Sequence, residues 1–327
     1  MKVIIPAAGF GSRLRPHTFT TPKILLPVAG RPIVAHILDQ VIAAGADEIN
    51  IIVGHLGEQV RKWVGENYDI PVEYCEQPEM LGLAHAVLMG LKPDDEDVLI
   101  ILGDSILGMD LNSAVKLRSS AIGVKEVEDP RRFGVVVVEN GKVVKMVEKP
   151  TELVSHLAIV GVYYIKSGAT LHKAIVDIMD SEIKVKGEFQ ITDALQTMVD
   201  WGEDITTFSV QDWYDCGKPD ALLQTNRYLF DSGKVASRHP EPKDGTIIPP
   251  VSIAPDVRIE KSVVGPYVSI GSGSVIRNSI VRDTIIGDDA CLERSIVDES
   301  LIGNRAYVSG SFEKINVGQS SQIGIKS

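Results

Sequence analysis

The chain has 327 residues, 44% of them hydrophobic and 24% charged, an ordinary balance for a folded protein with room for about two domains. Its formal net charge of −11 argues against nucleic acid as a partner, so clustered basic residues read as local anion pockets. Three scattered cysteines, Cys75, Cys216 and Cys291, are too few for a disulfide framework or a zinc site and fit a reducing cytoplasm; no apolar run has the length of a membrane span, and no signal peptide is read at the N-terminus.

At the N-terminus, Val3-Ile4-Ile5 reads as a buried strand. Pro6, Ala7, Ala8 and Gly9 end it and keep the following turn clear of side chains. Gly9 and Gly11 let the backbone bend tightly and bring its N–H groups close to a ligand. Arg13 and Arg15 follow, and Lys23 closes the segment after Pro16 and Pro22 have stiffened it. Glycine N–H groups beside fixed cations make a cradle for a polyanion, most simply the phosphates of a nucleotide. A Gly-rich turn with solvated basic residues is the bland alternative, and the density of glycines and cations favours phosphate. The spacing is neither that of a Walker loop nor that of the dinucleotide fingerprint.

To about residue 125, strands alternate with helical patterns, the signature of a mostly parallel α/β sheet. A helix is expected from Arg31-Pro32 to Gly45, strands at 49–53 and 72–75, helices at 59–64 and 83–91, and a central strand over Asp97–Leu102. That strand ends in Gly103-Asp104, where open α/β sheets place their ligands; a helix N-cap would explain the aspartate equally well. Strand-like runs at 135–139 and 142–147 flank Asn140-Gly141, a strong hairpin signal, and Glu148-Lys149-Pro150 follows. A strand is expected at 158–165, helices at 169–179, 192–201 and 219–230, and a short strand at 206–210. Asp215 lies in the tight loop Trp213–Gly217, and spacing alone does not bring it near Asp104.

Residues 233–250, rich in Pro, Gly and charge, read as a linker across which few contacts pass. Beyond them the chain repeats. Residues 268–283, 284–299 and 300–315 align with a 16-residue period marked by Ile270-Gly271, Ile286-Gly287 and Ile302-Gly303. Aliphatic residues recur every five or six positions within it, the rhythm of a β-helix whose coils bury their aliphatic faces on one another. A meandering sheet would instead alternate with period two.

These segments together resemble the sugar nucleotidyltransferases, also called NDP-sugar pyrophosphorylases. The resemblance is greatest to long-type glucose-1-phosphate thymidylyltransferases and UTP–glucose-1-phosphate uridylyltransferases. It rests on the ordered set AAGFGSRLRPHTFTTPK (7–23), EQPEMLGLAHA (76–86), LGDS (102–105), RRFGVV (131–136), VEKP (147–150), GEFQITDAL (187–195) and YDCGKP (214–219). It implies a catalytic domain over 1–232 with a Rossmann-like mixed, mainly parallel α/β sheet, a linker over 233–250, and a left-handed parallel β-helix over 251–327.

The resemblance further implies a nucleoside triphosphate and a sugar 1-phosphate as substrates, pyrophosphate as leaving group, Mg²⁺ as cofactor, a cytoplasmic location and a homo-oligomer assisted by the β-helix. Ala8, Gly9 and Gly11 would cradle the nucleotide, Arg13 would hold the triphosphate and the departing pyrophosphate, and Lys23 would meet the α-phosphate. Gln77 and the Gly82 backbone would read the base. Lys149, Glu148, Gly134 and Gly161 would bind the sugar phosphate, and Asp104 and Asp215 the metal. Ala8 stands where thymidylyltransferases usually carry a second glycine, whereas uridylyltransferases also show Ala-Ala-Gly. Alternatives in this reading are a mannose-1-phosphate guanylyltransferase and a non-catalytic pyrophosphorylase-like subunit, the latter disfavoured because Arg13, Lys23, Asp104 and Asp215 are all present. A β-helix acyltransferase would need a histidine base, and every histidine lies at or before His239.

Overall fold

The computed structural model describes residues 1–242, 244–310 and 315–323. The chain forms two compact units, one of Met1–Phe10 with His36–Trp213 and the other of Gly11–Ala35 with Tyr214–Ser327.

The first unit is built on a nine-stranded sheet. Its first strand, Lys2–Pro6, is apolar along both faces and sits centrally, parallel to Glu48–Val53 on one side and to Val98–Ile101 on the other. Val72–Glu76 extends the Glu48–Val53 side, again in parallel. On the opposite side the chain reverses: Leu157–Ile165 runs antiparallel to Val98–Ile101, to Gly134–Glu139 and to Ser120–Glu126. The Asn140-Gly141 turn, with both residues at positive φ, joins Gly134–Glu139 to Lys142–Glu148 as an antiparallel hairpin. Ile205–Ser209 then pairs in parallel with Ser120–Glu126. The sheet is mixed as expected, with its parallel and antiparallel pairings evenly divided rather than mainly parallel, because the hairpin and the long Leu157–Ile165 strand reverse direction.

Helices Leu83–Gly90, Gly168–Asp180 and Ile191–Asp200 cover one face. Val87, Leu171, Ile175, Ile178, Leu195 and Met198 pack there with Ile4, Ile52, Ile100 and Ile122 in one apolar core. Each such side chain stabilises the fold by about 1.5–3 kcal/mol through burial.

In the second unit, parallel strands stack with the spacing of the repeat. Val251–Ile253, Val268–Ile270, Thr284–Ile286, Ser300–Ile302 and Asn316–Val317 form one ladder, and Arg258–Val264 starts others through Val275–Arg277 and Ile280–Val281. Ile270 pairs with Ile286 and Ile286 with Ile302, so the sequence period is the rise of one coil. These residues and Ile276, Leu292, Val297 and Val308 fill the interior of the stack. The recurring glycine has a steric cause. A Cβ on Gly271 would stand 2.7 Å from the Asp288 nitrogen, and one on Gly287 2.7 Å from the Asn304 nitrogen, so the next coil leaves no room. Residues 311–314 of the third repeat lie outside the described residues.

The compact units do not part at residues 233–250. Within that segment Asp244–Ile247 pairs in parallel with Arg258–Val264 as part of the stack. Contacts do cross it, contrary to expectation. Fully buried Asn226, on helix Pro219–Asp231, accepts from the Ala29 amide at 2.8 Å and the Ser269 hydroxyl at 2.7 Å, and donates to the Tyr267 carbonyl at 2.9 Å. One polar side chain thereby ties the helix to the Gly11–Ala35 segment and to the coils, and removing it would strand several buried partners. Within Gly11–Ala35, Arg31–Pro32 pairs with Pro27–Val28, so the expected helix begins later, at Ile33.

Candidate active site

The carboxyl ends of the parallel strands lie side by side. The Ala7 amide donates to the Ile52 carbonyl, the Gln77 amide to the Val53 carbonyl, and the Gly103 amide to the Pro6 carbonyl, at 2.8, 2.9 and 3.0 Å. Each end therefore delivers a candidate residue to one edge: Ala8 and Gly9 after the first strand, Gln77 after Val72–Glu76, and Asp104 after Val98–Ile101. The strand order reverses at Lys2–Pro6, which makes this edge the crevice where open α/β sheets bind ligands.

Ala8 is buried, against Gly54, whereas a Cβ on Gly9 would meet nothing within 4 Å among the described residues beyond its chain neighbours, so their packing does not demand a glycine there. Gln77 is buried, its Nε2 donating to the Gly82 carbonyl at 3.1 Å and lying 3.1 Å from His85 Nδ1. Gly82 has φ +117°, a conformation that side chains avoid, and a Cβ there would stand 2.7 Å from the Phe189 nitrogen. The segment 76–86 is thereby clamped to 187–190 through Phe189, whose amide donates to the Leu81 carbonyl at 2.8 Å and whose carbonyl accepts from the Ala84 amide at 3.0 Å.

A second cluster of the first unit surrounds Glu148. Thr192 donates its hydroxyl to one Glu148 oxygen at 2.8 Å, and the Lys149 ammonium lies 3.0 Å from the other. Gly134 pairs with Glu148 across the hairpin, and a Cβ on it would stand 2.9 Å from the Glu148 carboxylate and 3.0 Å from the Thr192 hydroxyl. Glycine at 134 therefore makes room for that carboxylate. Lys149 has φ +44° and is held there by its amide, 3.0 Å from the Phe133 carbonyl. A non-glycine residue in this region costs on the order of 1–3 kcal/mol and persists where surrounding structure over-determines it, commonly at functional sites.

Gly161, at φ +80°, marks an irregularity in Leu157–Ile165, where a Cβ would stand 2.7 Å from the Leu102 side chain and 3.1 Å from the Ser105 hydroxyl. It packs on the Asp104 loop. Buried Tyr163 links the two clusters: desolvation, then the charges of Glu148 and Asp104, hold its phenol well above the usual range and keep it neutral. Asp193, beside Thr192, is pushed up to about 6 by desolvation and then by Glu148, and its buried Oδ2 has no hydrogen-bond partner among the described residues.

The remaining candidates belong to the second unit, which the loop enters between Phe10 and Gly11. Gly11 adopts φ +60°, and a Cβ on it would stand 2.9 Å from the Thr18 methyl and 3.2 Å from Lys23 Cβ. The segment thus closes on itself, with Lys23 returning to Gly11 and the Thr18 hydroxyl donating to the Gly11 carbonyl at 2.8 Å. Arg13 reaches the YDCG turn: a Cβ on Gly217 would stand 2.5 Å from its guanidinium and 2.7 Å from the Asp215 carboxylate. Among the described residues no three His, Cys, Asp or Glu gather as a metal site. Sequence reasoning passed over Thr192, Asp193, Tyr163 and Gly217, although GEFQITDAL and YDCGKP contain three of them.

Within the first unit, a reversed parallel edge carrying Ala8, Gly9, Gln77 and Asp104, together with the Glu148–Lys149 pair, has the make-up of an α/β ligand-binding site. The chain belongs to the nucleotidyl transferase family, whose profile matches residues 2–232. It is 30% identical over 99% of both chains to the low-salt glycan biosynthesis nucleotidyltransferase Agl11 of Haloferax volcanii. It is 31% identical, over 96% of this chain and 95% of the relative, to a glucose-1-phosphate thymidylyltransferase of Streptomyces griseus. A crystal structure of UDP-glucose pyrophosphorylase complexed with UDP-glucose superposes with a TM-score of 0.61 at 26% identity, over 71% of this chain and 98% of that one.

Proposed function

We propose that the protein condenses a pyrimidine nucleoside triphosphate, dTTP in preference to UTP, with glucose 1-phosphate, releasing pyrophosphate. The observation that carries this reading is the closure of the Gly11–Lys23 segment, which returns Lys23 to Gly11 and sends Arg13 to the turn holding Asp215. Relatives named for thymidylyl and uridylyl transfer to glucose 1-phosphate support it.

In the reaction a sugar-phosphate oxygen attacks the α-phosphorus in line, forming a P–O bond as the bond to the β-phosphate breaks. The nucleophile is already an anion, so the protein's task is to hold two repelling anions together and neutralise the charge that develops on the leaving group. Arg13 binds the β- and γ-phosphates, Lys23 the α-phosphate and Lys149 the sugar phosphate. Gly9, which no other described residue crowds, lets the phosphates approach the backbone. Glu148, oriented by Thr192 and Lys149, accepts from sugar hydroxyls between Gly134 and Gly161. Gln77, its Nε2 engaged by Gly82 and His85, presents Oε1 to the imide N–H of the base.

Asp104 and Asp215 would hold Mg²⁺. Two protein carboxylates completed by phosphate and water oxygens suit that hard cation. When bound it supplies charge neutralisation on the phosphates. The family profile covers residues 2–232, and the stack that follows, which Asp244–Ile247 already joins, is a left-handed β-helix that supports a homo-oligomer of a cytoplasmic enzyme.

The test is kcat/KM for dTTP, UTP, GTP and ATP with glucose 1-phosphate. The two pyrimidines should lie within about ten- to two-hundredfold of each other, since they differ by a methyl and a hydroxyl that nothing identified here excludes. Purines should be rejected more strongly, because the wrong edge leaves polar groups unpaired. A GTP value above both pyrimidines would overturn the assignment and point to a guanylyltransferase.

A further inference from the structure

Residues Gly11–Ala35 are anchored on the stacked coils at both ends of the stack. Near its start, the Gly30 carbonyl accepts from Arg238 at 3.1 Å, and Arg238 also donates to Ser252 on the first ladder strand at 3.0 Å. Ala29 is held by Asn226. Near its other end, His17 Nε2 is hydrogen-bonded to Asn316 Oδ1, on the last strand of the same ladder. Next to it Pro16 fills the space over Gly318: a Cβ on that glycine would stand 2.7 and 2.8 Å from the Pro16 ring. His17 and Thr18 are both buried, and Thr18 is the residue that crowds Gly11 and hydrogen-bonds its carbonyl. A chain of direct contacts therefore runs from Asn316 and Gly318, through Pro16, His17 and Thr18, to Gly11 and Lys23. Desolvation lowers the His17 pKa, with the Asn316 bond opposing it, which keeps the imidazole neutral near pH 7 and able to donate one N–H to Asn316.

We infer that Asn316 and Gly318 are positioning residues for the phosphate loop, and that the coil stack fixes the geometry in which that loop receives the nucleoside triphosphate. The stack would then serve nucleotide binding within its own chain, besides any part in assembly. This rests on the proposed reading of Gly11–Lys23 as the triphosphate cradle. Asn316 acts by fixing His17, and a loop displaced by about an ångström costs ten- to a hundredfold in reactions that depend on alignment.

The experiment uses the full-length chain and measures KM for dTTP, KM for glucose 1-phosphate, kcat and the thermal midpoint for wild type, Asn316→Ala, Asn316→Asp and Gly318→Ala. Asn316→Ala should raise KM for dTTP about tenfold or more while KM for glucose 1-phosphate changes less than about twofold. Asn316→Asp keeps an acceptor for His17 and should restore most of the nucleotide affinity. Gly318→Ala, which presses on Pro16 independently of His17, should reproduce the selective nucleotide defect and keeps the test alive if Asn316→Ala does not fold. Equal changes in both KM values, no change in either, or failure of Asn316→Asp to rescue would overturn the inference. Wild-type protein that turns over no triphosphate with any sugar 1-phosphate would instead overturn the functional reading beneath it.

Discussion

Asp193→Asn probes the electrostatics of the Glu148 cluster. The Asp193 carboxyl is pushed from 3.8 up to about 6 by desolvation first and by Glu148 second, and its buried Oδ2 has no hydrogen-bond partner among the described residues. A carboxyl whose folded pKa lies above its unfolded one binds more protons in the folded state between the two values. Stability therefore falls as pH rises from about 4 to about 6 and stays at the lower level above that. The full difference corresponds to about 3 kcal/mol at most. Asp193 is only half-buried, so solvent screening reduces the expected penalty to about 1 kcal/mol. Its place in the first turn of helix Ile191–Asp200, where a negative charge is favoured, reduces it further. Asparagine removes the charge and keeps the shape. Thermal unfolding across pH should show the variant about 1–3 °C more stable than wild type at pH 8, with the gap closing as pH falls to 4. A variant no more stable at pH 8, or a gap independent of pH, would show that the carboxylate finds compensation in the folded protein.

Asp104→Asn and Asp215→Asn should each cut turnover by at least about a hundredfold, with an unchanged thermal midpoint in the absence of Mg²⁺; near-normal turnover at limiting Mg²⁺ would remove that residue from the metal site. Gly82→Ala combines a φ of +117° with a Cβ forced onto Phe189, and should lower the thermal midpoint by several degrees, about 2–4 °C per kcal/mol of strain. Lys149→Ala should raise KM for glucose 1-phosphate at least about tenfold while leaving KM for dTTP within about twofold, as steady-state kinetics with each substrate varied would show.

The sequence announced the elements whose patterning is local and strong. Val3-Ile4-Ile5, Val98–Ile101 and the Asn140-Gly141 hairpin lie where periodicity and turn chemistry put them. The coils were readable because each Ile-Gly repeats a steric need imposed by the next coil. Ser120–Glu126 was overlooked, since its short run is interrupted by Gly123. Its reason for being a strand is its partners, Leu157–Ile165 and Ile205–Ser209, far away in sequence. The same holds for the site. Glycines and cations at 9–23 stand out in a single stretch. That Thr192 orients Glu148, that Asp193 is charged at a cost, or that Asn226 joins Ala29 to Ser269 depends on pairings across 40 residues or more. The segment 233–250 looked like a linker because Pro and charge dominate it, yet Asp244–Ile247 gains its order from a strand that follows.

The most direct measurement is a product balance with purified protein, dTTP and glucose 1-phosphate. One nucleotide sugar and one pyrophosphate should form per glucose 1-phosphate consumed, with no pyrophosphate when either substrate is left out, and with both products lost in Arg13→Ala. Phosphate or pyrophosphate released from dTTP without the sugar phosphate, or no nucleotide sugar from any triphosphate tried, would contradict the account.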